Sequence, residues 1–232
     1  MSKKLITAVA AATLGAVAFT APAMAEVSAT GGLVSQYVFR GNVLGDAAAN
    51  GSLDYTNSGF TVGVWAIDDG SASPEAEDGL EVDAYLSYGG DINDDASYSI
   101  GLTRYEYTGN GLTNFEQEAN LSVSFKGFSL GADIGEGDPN VSGVDAEDYT
   151  HISLAWAPSD TYSLMVASFD ADDDGAGTYF TTRGDYEYAE ATAAGTVAEL
   201  DVSFTVGVSS DDLVGNSDDG YMVLSASKSF DL

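Results

Sequence analysis

Apolar and polar residues alternate one for one over long stretches of this chain, a periodicity that belongs to strands with two unlike faces. Over residues 127–134, Phe128, Leu130, Ala132 and Ile134 share one face while Ser129, Gly131 and Asp133 share the other. Residues 114–125 set Phe115, Ala119, Leu121, Val123 and Phe125 against Glu116, Glu118, Asn120, Ser122 and Ser124. The dyad returns at residues 80–88, with Val82, Ala84 and Leu86 opposite Glu81 and Asp83. It returns again at residues 198–208, with Leu200, Val202, Phe204 and Val206 opposite Glu199, Asp201, Ser203 and Thr205. No segment carries the 3.6-residue period of an amphipathic helix.

Read this way, the chain holds about twelve strands, at residues 27–40, 50–56, 59–67, 79–88, 96–107, 114–125, 127–134, 147–157, 161–169, 178–189, 196–209 and 220–230. The second and seventh are short for a bilayer-spanning strand of about 9–11 residues, so ten strands is the alternative count. Connections at 57–58, 89–95, 126–127, 158–160 and 192–195 are short; those at 68–78, 135–146, 170–177 and 210–219 are longer and acidic. An antiparallel transmembrane β-barrel is punctuated in this manner, with short periplasmic turns and long extracellular loops. Aromatic residues provide a second sign, because they gather where an apolar band meets lipid headgroups. Tyr55, Phe60, Tyr88, Tyr98, Phe125, Phe128, Trp156, Tyr162, Tyr188 and Phe230 all fall on the apolar face beside the short turns. The expected fold is therefore all-β, one barrel over residues 26–232 with no plug-sized insertion.

The first residues read as a leader. Lys3 and Lys4 form a charged start, residues 5–19 an apolar run, and Ala23-Met24-Ala25 a cleavage site, which makes residues 1–25 a removed signal peptide. The chain carries 37 acidic against 7 basic side chains, a formal charge of −30, and loss of Lys3 and Lys4 makes it more negative still. Nucleic acid is excluded as a partner, since phosphate backbones are bound by basic patches. With no cysteine, neither a disulfide framework nor a thiolate metal site can hold the fold.

By parity, the polar interior of the barrel receives Arg40, Asp54, Glu81, Asp83, Glu116, Glu118, Asp133, Arg183, Asp185, Glu187, Glu199 and Asp201, with Gln36 beside them. One-signed rings of charge select permeant ions, so an open lumen of this kind passes small hydrophilic solutes with a preference for cations. The alternative is a filled, non-conducting surface barrel whose acidic loops bind divalent cations, lipopolysaccharide through such cations, or a partner. Asp170, Asp172 and Asp174, followed by Gly175, begin as a calcium loop does, but Thr181 stands where the closing Glu belongs, so at most weak calcium is expected and no other cofactor. His151 and Ser153 have the H-x-S spacing of outer-membrane phospholipase A, which makes lipid hydrolysis a remote third reading. His151 points inward by parity, and no orienting carboxylate or oxyanion donor is identifiable beside it.

The stretch Leu33-Val34-Ser35-Gln36-Tyr37-Val38-Phe39-Arg40-Gly41, with Asn50-Gly51-Ser52-Leu53-Asp54-Tyr55, Ser58-Gly59-Phe60 and Gly63-Val64-Trp65, resembles a family of proteobacterial outer-membrane proteins often called the TorF family and regarded as porins. The resemblance covers the first two strands and the start of the third, and it implies an outer-membrane barrel for passive transport. The family's usual Pro-Ala step before the Gly of the second strand is replaced here by Ala47-Ala48-Ala49-Asn50. In this first strand Tyr37 and Phe39 are expected toward lipid, and Gln36 and Arg40 toward the lumen, where Arg40 can pair with the acids. Met222, Leu224, Ala226, Phe230 and Leu232 resemble the C-terminal recognition strand of such proteins, although Asp231 and Leu232 follow the Phe that usually ends it. The partners implied are outer-membrane lipid and lipopolysaccharide, the barrel-assembly machinery, and small solutes or cations.

Overall fold

The structure, a computed structural model, describes residues 25–68, 79–108, 115–138, 147–171, 185–210 and 220–232. Among the described residues fourteen strands run in chain order: β1 (Glu26–Val34), β2 (Tyr37–Phe39), β3 (Asn42–Gly45), β4 (Ala48–Asn57), β5 (Phe60–Asp68), β6 (Leu80–Asn93), β7 (Ala96–Thr108), β8 (Phe115–Phe125), β9 (Phe128–Asp138), β10 (Glu147–Trp156), β11 (Tyr162–Ala171), β12 (Tyr186–Val197), β13 (Leu200–Ser209) and β14 (Gly220–Asp231). Twelve of them close into an antiparallel barrel, sealed where β1 pairs with β14 from Ser28↔Asp231 to Val34↔Ser225. The strands expected to be short, β4 and β9, have 10 and 11 residues, long enough to span. Closure leaves the barrel sheet without an edge, which is what a lipid environment requires. All but the last residue of the expected leader, and most of the expected long acidic connections, lie outside the described residues.

The usual inside and outside are exchanged. Leu102, Ile134 and Met222 are each more than 60% exposed on the outer surface, with Val64, Leu121, Leu154, Val166 and Phe204 around them. The buried cluster instead lies within the barrel and is rich in tyrosine. An outer surface this apolar is matched to lipid rather than to water. Nine of the ten aromatics expected beside the short turns stand outside, and neighbours touch: Phe60 and Tyr88 lie 4.7 Å apart between ring centres, Phe128 and Trp156 6.0 Å. The tenth, Tyr188, points inward and is buried.

Four two-residue turns have positive φ at both central positions: Arg40-Gly41, Ser58-Gly59, Lys126-Gly127 and Ala198-Glu199. That is the type I′ turn, whose twist matches the flanking strands. The last of them corrects an expectation. Residues 192–195, read as a turn, lie within β12, and the chain reverses at Ala198-Glu199 instead. Glu199 is therefore an exposed turn residue bonded to Lys228 at 2.8 Å, with no place in the lumen. Because a side chain in the left-handed region costs roughly 1–2 kcal/mol, Glu199→Gly is expected to raise stability by about 1 kcal/mol, read from the denaturant midpoint of the lipid-folded protein. A lowered midpoint would mean that the Lys228 contact outweighs the strain.

The lumen has two levels. Toward the Ser58-Gly59, Lys126-Gly127 and Ala198-Glu199 turns it is a collar of hydroxyls paired across strands, among them Thr30 with Ser229, Ser124 with Ser129, and Thr192 with Thr205, each within 2.8 Å. Toward the other end it is filled.

Candidate functional site

The filling is a hairpin of residues 35–47 folded into the barrel, whose residues 35–40 were expected to continue the first strand. The chain leaves the wall at Ser35, whose amide donates to the Leu224 carbonyl and whose hydroxyl accepts from the Leu224 amide, both at 2.9 Å. β2 and β3 then pair with each other and stay apart from the barrel sheet. Tyr37, Val38, Phe39, Arg40 and Asn42 are all buried. This overturns the expected outward placement of Tyr37 and Phe39 and the expected absence of a plug. At the tip, Gly41 has φ +79°, and a Cβ there would sit 2.6 Å from the Tyr188 ring. Only glycine allows both the turn and the close approach.

The tip delivers Arg40 to a socket on the far wall. Its guanidinium donates to Glu118 at 2.7 Å and to Asp133 at 3.2 Å. The carbon of the guanidinium lies 4.7, 5.5 and 6.0 Å from the ring centres of Phe39, Tyr149 and Phe169. Glu118 also accepts from the hydroxyls of Tyr105 at 2.7 Å and Tyr149 at 2.9 Å and from the Asn120 amide at 2.6 Å. Asp133 takes Asn120 at 2.9 Å and His151 Nδ1 at 2.8 Å. A carboxylate only accepts, so Nδ1 carries a proton, and in the neutral ring Nε2 receives the Tyr188 hydroxyl at 2.9 Å. Both ring nitrogens are thereby committed to Asp133 and Tyr188, leaving neither to activate Ser153.

Beside this socket lies a second group of acids that the hairpin covers without neutralising. Tyr37 donates to Glu81 at 2.6 Å, and Glu116 is buried nearby. Asp83 is 0% exposed, and neither of its carboxylate oxygens has a hydrogen-bond partner. Among the described residues five acidic side chains, Glu81, Asp83, Glu116, Glu118 and Asp133, are buried with one guanidinium, which pairs with the last two. A buried carboxyl group left without partners is costly, so the lumen is receptive to groups that bring hydrogen-bond donors. Among the described residues no group of three His, Cys, Asp or Glu side chains is arranged to hold a metal ion.

Three glycines shape the wall around these groups. Gly63, Gly135 and Gly207 are the direct cross-strand partners of Tyr85, Tyr149 and Tyr221. In each pair the ring covers the glycine, and an added Cβ would collide with it. The tyrosines lie along the wall as a result, and each hydroxyl reaches a carboxylate: Tyr85 to Asp54, Tyr149 to Glu118 at 2.9 Å, and Tyr221 to Glu190 at 2.6 Å.

The remaining expected residues are scattered. Asp54 is half-buried on the inner face of β4 and also accepts from Ser52 at 2.8 Å. Asp201 lies on the face of Ser203 and Thr205 but at the exposed turn end, where it accepts from Thr196 at 3.0 Å. Asp185 and Glu187 are exposed. Since Tyr186 and Tyr188 take the inner face of β12, the expected orientation of that strand is reversed there. Asp170 is exposed on the outer face of β11, and Asp172, Asp174 and Arg183 lie outside the described residues. Sequence reasoning missed Asn42, which donates to Tyr186 at 2.6 Å, and the inward Tyr105, Tyr186 and Tyr188. The signal for the hairpin was present in the aromatic-flanked Arg40-Gly41 pair.

Fold and lumen together define a closed, twelve-stranded barrel of the outer-membrane type with an inward-folded hairpin. Residues 18–120 match a family described as "Bacterial protein of unknown function (Gcw_chp)". A search of curated proteins finds no match. Among solved structures the chain is similar to OprD from Pseudomonas aeruginosa, at 8% identity over 89% of this chain and 66% of that one, with a TM-score of 0.47. It is also similar to OccAB3 of Acinetobacter baumannii (8% identity, 89% of this chain, 65% of that one, TM-score 0.44). A third is a BenF-like porin from Pseudomonas fluorescens Pf-5 (12% identity, 86% and 59%, TM-score 0.44). The chain spans 65% and 59% of the lengths of the latter two. At this distance nothing about solute or selectivity passes from them to this chain.

Proposed function

We propose that the protein is an outer-membrane porin for small hydrophilic solutes with a preference for cations, closed at rest by the hairpin of residues 35–47. One observation carries this reading: the hairpin belongs to no barrel strand pair and is held inside chiefly by side chains, among carboxylates that outnumber its single guanidinium. Selection is electrostatic, with no chemical step, and moving the hairpin aside opens the path. In this reading residues 1–25 are the removed leader. The turns at Ser58-Gly59, Lys126-Gly127 and Ala198-Glu199 face the periplasm, and the apolar exterior contacts lipid and lipopolysaccharide. The outward row Met222, Leu224 and Phe230 of β14 is offered to the barrel-assembly machinery, and the acidic connections hold at most weak calcium. The resemblance to the TorF family agrees with this assignment.

The tyrosine-rich core inside the barrel favours a second reading, a permanently filled barrel. Selectivity separates the two. Val34 and Ala48 are paired at the mouth of the hairpin, so replacing residues 35–47 by Asn-Gly supplies the two-residue connection that such a pair accepts. Across a salt gradient this shortened protein is expected to give a cation-preferring reversal potential, and Glu116→Gln with Glu118→Gln to move it toward zero. A reversal potential indifferent to both substitutions rejects the role of these acids.

A further inference from the structure

We infer that the Arg40 socket is a solute-binding site for a guanidinium or primary ammonium group, which the hairpin fills with a tethered mimic of that solute. This rests on the reading of the barrel as a passage for solutes, and it names the class of solute. The socket is built as cation sites are built. Two carboxylates, Glu118 and Asp133, are fixed by donors that do not move with the hairpin: Tyr105, Tyr149 and Asn120 on the one, Asn120 and His151 on the other. Aromatic rings of the wall, Tyr149 and Phe169, flank the position of the guanidinium carbon, where a π-face adds to the attraction. All of these partners belong to the barrel, so the socket persists when Arg40 leaves.

A second observation indicates that Arg40 does not exhaust the site. Asp83 is fully buried with both oxygens unpartnered, and Glu81, Glu116 and Glu118 are its electrostatic neighbours. The Tyr107 hydroxyl is buried and unpartnered as well. A solute with a second donor-bearing group gains bonds here that the hairpin does not make. A guanidinium offers five donors and an ammonium three, whereas among the described residues no three acids are arranged to hold a bare metal ion. That surplus is what lets a free solute displace a tethered competitor, whose effective concentration is on the order of millimolar.

Agmatine, which carries a guanidinium at one end and an ammonium at the other, is the probe. Calorimetric titration of the detergent-folded full chain at fixed ionic strength is expected to show one saturable site. Arg40→Gln is expected to bind at least about tenfold tighter, since removing the internal occupant raises the competent fraction. Adding Glu118→Gln to that variant abolishes the tightening. Unchanged affinity in Arg40→Gln, or indifference to Glu118→Gln, overturns the proposal. Folding of each variant is checked by heat-modifiable mobility. Should Arg40→Gln fail to fold, the protein with Trp156→Phe reports instead. Trp65 lies 6.4 Å from the Tyr37 ring of the hairpin, and its emission is expected to shift saturably with agmatine but not with sodium chloride of equal ionic strength. An equal shift with salt, or none with agmatine, overturns the site. Binding without conductance overturns the channel and leaves the site standing; conductance without binding does the reverse.

Discussion

Arg40→Gln is expected to destabilise the folded barrel by about 3–5 kcal/mol, the usual cost of stranding a buried charge by removing its partner. The guanidinium is 4% exposed and bonded to two carboxylates that are themselves buried. Glutamine is shorter and replaces none of the charge. Lysine is not a conservative exchange either, because the site uses a planar group lying near three rings. Combining Arg40→Gln with Glu118→Gln is expected to recover part of the loss, since the second substitution removes charge that the first left uncompensated. Denaturant unfolding of lipid-folded protein measures the cycle. A cost below about 1 kcal/mol for Arg40→Gln, typical of an exposed pair, would mean that the hairpin tip is not seated in the lumen.

Gly135→Val has the second largest expected effect. A side chain at Gly135 meets the Tyr149 ring, and overpacking of this kind costs about 1–3 kcal/mol. Displacing the ring also breaks the Tyr149 bond to Glu118, and a hydrogen bond to a charged group contributes roughly 1.5–3 kcal/mol. Tyr149→Ala combined with Gly135→Val is expected to cost less than the sum of the two single changes, because the clash and the bond vanish together. Strict additivity of the two substitutions would show that ring and glycine do not share one space.

Much of the wall was legible because lipid and lumen impose opposite demands on alternate residues. Phe128, Leu130 and Ile134 face out, and Asp133 faces in, as the alternation requires. The hairpin escaped for a physical reason. Tyr37 and Phe39 are aromatic because they are buried against the lumen rings of Trp65 and Tyr105, and parity cannot distinguish that burial from burial in lipid. The alternation of β1 therefore seemed to continue through them. β12 failed differently. Beyond the apolar band the outer face meets polar surroundings, so Glu187 can face out while Tyr186 and Tyr188 pack inside, inverting the pattern. Ala193-Ala194-Gly195 has the small residues of a turn yet lies within the strand, while the actual turn, Ala198-Glu199, has no residue suited to positive φ. Pairings across the lumen, such as Arg40 with Asp133 or His151 with Tyr188, depend on register between distant strands and had no local signature.

The most direct test of the central claim, that residues 35–47 close an otherwise passable lumen, is single-channel recording in planar bilayers. It compares the intact protein with the form in which Asn-Gly joins Val34 to Ala48. The intact protein is expected to be silent or to open rarely, and the shortened one to conduct in long, discrete steps. Equal conductance in the two, or silence from a shortened barrel shown to be folded, would contradict the account.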